Sequence, residues 1–101
     1  MTTPIYIQTH GCSVNFHESE IMSGLLKKAD FQIVENIEDA RLVILNVCTV
    51  KGEFKSVTLI KNFKADYPNK RLIVAGCITK ELVEKINELA PSASIISTHN
   101  I

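Results

Sequence analysis

The chain has no long hydrophobic run. Its longest uninterrupted apolar stretch, Leu72 to Ile78, has seven residues, far short of a bilayer span. Met1 to Thr9 has neither the basic start nor the extended apolar stretch of a secretory signal, so membrane and secreted readings fall away. The expectation is a cytoplasmic protein with no membrane partner. An excess of charge of one sign is missing too, because 11 basic side chains stand against 11 acidic ones. No global field therefore draws nucleic acid or anionic lipid to the chain, although a local patch is compatible with that balance. Cysteine is scarce and odd in number, three in all. Without an export signal this argues for a reducing compartment and against a disulfide framework. Tryptophan is absent, and there is no repeat, low-complexity tract or internal linker, so residues 1–101 read as one domain.

What is present suffices for a core. With 46% apolar and 22% charged residues the composition is that of a soluble globular domain. A chain of this length buries somewhat more than ~60% of the surface its unfolded form exposes. Ile5 to Thr9 is a short β-prone run between Pro4 and Gly11. Asn15 followed three residues later by Glu18 is a helix-start signature, and Ile21, Leu25, Leu26 and Ala29 then share a helical face, which predicts a first helix from about Phe16 to Ala29. Phe31 to Val34 reads as a weaker strand, and Ile37 to Ala40 as a short helical turn. Leu42 to Leu45 is apolar without alternation, as in a central strand covered on both faces. A second helix occupies about Glu53 to Tyr67, where Ser56, Leu59, Ile60, Phe63 and Tyr67 make one stripe and Pro68 ends it. Arg71 to Ala75 is the next strand. Leu82, Val83, Ile86 and Leu89 mark a third helix closed by Pro91, and Ser94 to Ser97 is a last short strand.

Strands alternating with helices imply right-handed crossovers and a parallel sheet with helices on both sides. Five strands in this rhythm fit a flavodoxin-like α/β domain of three layers, with the parallel strands in the order 2-1-3-4-5. A dinucleotide-binding reading is poorer. The turn after the first strand, Thr9 to Asn15, lacks the glycine spacing that cradles a pyrophosphate, and no Gly-Lys-Ser/Thr phosphate loop occurs.

In that arrangement Cys12, Cys48 and Cys77 each fall just past the carboxyl end of a strand, and the three strands are neighbours. Ligands of open α/β sheets bind at that edge, where the strand order reverses. Gly11 and Gly76 precede two of the cysteines and permit close backbone approach. Three chemistries suit such a set. Separate buried thiols pack as small hydrophobes. Structural zinc could add His10 or His17, but its ligands usually come from closely spaced C-x2-4-C pairs, which are lacking here. A 4Fe-4S cluster tolerates dispersed ligands, and three thiolates would leave one iron open to an external ligand.

The runs Thr9-His10-Gly11-Cys12-Ser13-Val14-Asn15, Asn46-Val47-Cys48-Thr49-Val50-Lys51 and Val74-Ala75-Gly76-Cys77 resemble the amino-terminal domain of the radical-SAM methylthiotransferases. The resemblance covers nearly the whole chain. It implies a flavodoxin-like domain whose Cys12, Cys48 and Cys77 hold an auxiliary 4Fe-4S cluster. The Cys48-Thr49-Val50-Lys51 continuation is most similar to the archaeal and eukaryotic branch acting on N6-threonylcarbamoyladenosine beside the tRNA anticodon. The family's reaction, as the resemblance implies it, uses a second 4Fe-4S cluster with S-adenosylmethionine in a radical-SAM domain, and puts a methylthio group on carbon 2 of adenine. Two departures stand out. Val47 replaces a usual threonine, and no C-x3-C-x2-C motif occurs, so the radical-SAM and RNA-binding domains are outside this sequence and the chain alone is expected to be inactive. Contact with tRNA is then expected through the full-length enzyme, and weakly or not at all through this domain.

Asn15 and Asn46 are candidates to hydrogen-bond the backbone around the cysteines, against the plainer readings of a helix cap and a strand-end turn. Lys51 is a candidate to face an anionic group, against a solvated lysine before a helix. Ser19 and Glu20 match the family motif and are expected to organise the adjacent loop.

Overall fold

A computed structural model of the chain describes residues 3–11, 13–48 and 53–97. Five strands and three helices alternate: β1 (Pro4–Thr9), α1 (Ser13–Lys28), β2 (Gln32–Ile33), a 3-10 turn (Ile37–Asp39), β3 (Leu42–Cys48), α2 (Glu53–Asp66), β4 (Arg71–Cys77), α3 (Lys80–Leu89) and β5 (Ser94–Ser97). All pairings are parallel and the order is β2-β1-β3-β4-β5, the flavodoxin-like α/β topology expected from the sequence. None of the described helices is long and apolar enough to cross a membrane.

Strand alternation divides the core between two faces. Val43, Leu45 and Val47 of β3 and Leu72 and Val74 of β4 pack with Ile60 and Phe63 of α2 and Leu82 and Ile86 of α3. The intervening positions, Ile44 and Ala75, join Ile5 on the opposite face, with Met22 and Leu26 of α1 against them. Each such aliphatic or aromatic side chain contributes roughly 1.5–3 kcal/mol on full burial, so the sheet is held from both sides. Thr79 caps α3 by accepting a hydrogen bond from the Leu82 amide at 3.2 Å, and the helix closes just before Pro91. At the end of α1, Asp30 takes a left-handed conformation (φ 66°), which lets the Phe31 amide bond back to the Leu26 carbonyl at 2.9 Å.

The first helix departs from the expectation in two respects. It begins at Ser13 rather than about Phe16, so Asn15 is its third residue and not its cap. Its buried face is also rotated. Ile21 and Leu25 are 50% and 61% exposed, whereas Leu26, as expected, turns toward the sheet, joined by Asn15 and Met22. Strands β3 and β4 run on to Cys48 and Cys77, beyond Leu45 and Ala75, which makes those cysteines the last strand residues and not the first residues after them.

Candidate metal centre

The carboxyl ends of β3 and β4 are level. Their register pairs Asn46 with Ala75, Val47 with Gly76 and Cys48 with Cys77. In-register residues of neighbouring parallel strands project on the same side, with strand axes about 4.8 Å apart. Cys48 and Cys77 thus form a pair on the α1 side of the rim. Both are half-buried, and neither is in a disulfide.

Cys12 lies outside the described residues, as do Thr49, Val50 and Lys51, but its neighbours on either side are placed. Gly11 (φ 143°) is so close to β3 that a β-carbon built on it would lie 2.9 Å from the β-carbon of Cys48. Ser13 opens α1. The backbone flanking Cys12 is therefore delivered to the β1–β3 edge, next to the Cys48 and Cys77 pair. The same crowding occurs at Gly76 (φ 112°), where a β-carbon would collide with the Val47 carbonyl oxygen and with Asn46 Oδ1 at 2.6 Å. Only glycine meets both the conformation and the space at these two points.

Behind the rim lies a buried polar network. Asn15 Nδ2 donates to Asn46 Oδ1 at 3.1 Å and to the Val47 carbonyl at 3.2 Å. Asn46 Nδ2 donates to the Asn15 carbonyl at 2.8 Å and to Ser19 Oγ at 2.9 Å. Ser19 Oγ is 2.6 Å from Thr9 Oγ1, and the His10 amide donates to the Asn46 carbonyl at 2.7 Å. Asn46 is completely buried and Asn15 nearly so. The plainer readings, a helix cap for Asn15 and a strand-end turn for Asn46, are thereby replaced by one cross-link between α1 and β3. Ser19 organises the loop as expected, while Glu20 is exposed and has no part in the network.

Neither His10 nor His17 joins the pair. His10 Nε2 lies 2.7 Å from Gln8 Nε2, and His17 is exposed on α1. Among the described residues, which include His10, His17, Cys48 and Cys77 but not Cys12, no three His, Cys, Asp or Glu side chains form a metal-binding group. Among the described residues, then, neither His10 nor His17 makes a metal-binding group with Cys48 and Cys77. The donor set does fit an iron-sulfur cluster. Cys48 and Cys77 are in-register, half-buried thiols, and the Gly11 backbone that leads to Cys12 is packed on Cys48, a donor set of the kind iron-sulfur clusters take.

Fold and rim together define a parallel α/β domain with thiols gathered at the carboxyl edge of its sheet. The chain belongs to the family described as "Uncharacterized protein family UPF0004", which matches residues 4–97. It is 36% identical over 99 residues to a "Probable threonylcarbamoyladenosine tRNA methylthiotransferase" of Methanothermobacter thermautotrophicus, covering 96% of this chain and 23% of that protein. It is likewise 36% identical over 104 residues to a "tRNA-2-methylthio-N(6)-dimethylallyladenosine synthase" of Thermoanaerobacter sp., covering 95% of this chain and 22% of the relative. A second archaeal relative, the "Probable threonylcarbamoyladenosine tRNA methylthiotransferase" of Methanocaldococcus jannaschii, is 33% identical over 86 residues, 85% of this chain and 20% of its own length. The chain thus spans about a fifth of the curated relatives it matches. The resemblance to the methylthiotransferase amino-terminal domain, read first from the three cysteine motifs, is shown.

Proposed function

We propose that this chain is the auxiliary cluster domain of a tRNA methylthiotransferase, in which Cys12, Cys48 and Cys77 hold a 4Fe-4S cluster. The observation that carries the reading is the in-register pair of Cys48 and Cys77, with Gly11, the residue before Cys12, packed against Cys48. When bound, the cluster supplies an iron without a protein thiolate, open to a sulfur ligand from outside. The chain's own residues would supply the three thiolates, of which Cys48 and Cys77 are half-shielded from water at the sheet edge.

The remaining chemistry belongs to the rest of a protein some four to five times longer, if its length follows the relatives. That part holds a radical-SAM domain with its own 4Fe-4S cluster and S-adenosylmethionine, followed by an RNA-binding domain, in one cytoplasmic chain. The 101 residues have no C-x3-C-x2-C motif and are inactive alone. With no net charge they bind tRNA weakly or not at all, since phosphate neutralisation by clustered Lys and Arg dominates such affinity. The substrate is N6-threonylcarbamoyladenosine, methylthiolated at carbon 2 of adenine. The run Cys48-Thr49-Val50-Lys51 supports that branch, and the relatives' names include both it and the dimethylallyladenosine branch.

Nucleoside mass spectrometry of tRNA from a modification-deficient host expressing the full-length protein tests this. A methylthio group on threonylcarbamoyladenosine should appear with the parent and vanish with Cys12→Ser, Cys48→Ser or Cys77→Ser. A methylthio group on dimethylallyladenosine instead would reassign the substrate, and none on either nucleoside would reject the enzyme class.

A further inference from the structure

We infer that the buried Asn15 and Asn46 pair is the positioning element that holds the three cysteines in one geometry, an inference that rests on the cluster reading above. The pair touches the residue immediately before each cysteine. Gly11, before Cys12, is packed on Asn15, whose Cγ would lie 2.7 Å from a Gly11 β-carbon. Val47, before Cys48, accepts a hydrogen bond from Asn15 Nδ2 at 3.2 Å. Gly76, before Cys77, is packed on Asn46, whose Oδ1 would lie 2.6 Å from a Gly76 β-carbon. One polar unit therefore touches the ends of all three paired strands that lead to the cysteines.

The chemistry of the pair agrees with such a role. Both side-chain N–H groups of each asparagine have a partner: Asn46 Oδ1 and the Val47 carbonyl for Asn15, the Asn15 carbonyl and Ser19 Oγ for Asn46. Neither amide can rotate without leaving a buried polar atom unpaired, which is costly where water cannot enter. Beyond this network the same side of the sheet is apolar, with Ile5, Ile44 and Ala75 in its core. Apolar side chains in place of both asparagines would satisfy packing about as well. What they would not supply is direction. The His10 amide on the Asn46 carbonyl and the Thr9 and Ser19 contact extend the same fixing to the strand that leads to Cys12. Asn15 and Asn46 are thus positioning residues, acting on the cluster through the backbone of its ligands.

The test uses the 101-residue chain, reconstituted anaerobically with ferric iron and sulfide. The double variant Asn15→Leu, Asn46→Leu keeps the site filled and leaves no side-chain amide unpaired, and Ser19→Ala removes the outer acceptor of Asn46 Nδ2 together with the Thr9 contact. The double variant is expected to keep the parent's far-ultraviolet circular dichroism. It should lose iron to a chelator about tenfold faster or more, the range in which groups that orient metal ligands act, with altered g values and midpoint potential for the reduced cluster. Ser19→Ala should shift the same spectrum in the same direction by less. Folded variants that match the parent in iron content, electron paramagnetic resonance spectrum and midpoint would overturn the inference. Should the double variant not fold, Ser19→Ala is judged on the same three readouts. A parent that takes up no iron, alone or in the full-length protein, would instead reject the cluster reading and this inference with it.

Discussion

Gly11 stands against Cys48 with no room for a side chain: a β-carbon on the glycine would be 2.9 Å from that of the cysteine and closer still to Asn15 Oδ1. The two residues lie at different strand ends, which the β1–β3 pairing and the His10 amide on the Asn46 carbonyl bring together. Gly11→Ala and Gly76→Ala must each place a β-carbon into this packing at a positive φ that L residues rarely adopt. Each is expected to destabilise the folded chain by at least about 1–3 kcal/mol, measured by urea unfolding. A variant as stable as the parent would mean that the close approach is not a constraint.

The rotated face of α1 gives a second prediction. Leu25 is 61% exposed, so Leu25→Ala should change stability by no more than about 0.5 kcal/mol. Leu82 is fully buried between α3 and the sheet, and Leu82→Ala should cost about 2–5 kcal/mol. Comparable losses from the two would restore the helical face read from periodicity alone.

Folding should not depend on metal. The two core clusters join helices and strands with no thiol contribution, and Cys48 and Cys77 sit only at their edge. Chelator-treated chain is expected to show a cooperative thermal transition with native-like circular dichroism. An unfolded spectrum in the absence of metal would point to a structural metal site.

Much of this fold was legible because its strands are continuous apolar runs, and the stripes of α2 and α3 carry Ile60, Phe63, Leu82 and Ile86 into the core. The strand order followed from the alternation of elements, and with it the meeting of Cys48 and Cys77. The buried face of α1 was less legible because two of its inward positions, Asn15 and Ser19, are polar. Hydrophobic periodicity favoured Ile21 and Leu25, which the structure leaves in solvent. Asn15 also satisfied a local capping pattern with Glu18 that explained it without Asn46, and a partner 31 residues away leaves no local trace. What made both asparagines candidates was their place in the cysteine motifs, Asn15 three residues after Cys12 and Asn46 two before Cys48; that they pair with each other was not readable.

The most direct measurement is iron and acid-labile sulfide content after anaerobic reconstitution of the parent chain and its three cysteine variants. The parent should bind about four irons per chain, and Cys12→Ser, Cys48→Ser and Cys77→Ser should each lower that yield sharply, because two thiolates do not fix a cube at an open sheet edge. Equal loading of all four proteins, or uptake of a single zinc by the parent in preference to iron, would show that these cysteines are not ligands of a shared iron-sulfur cluster.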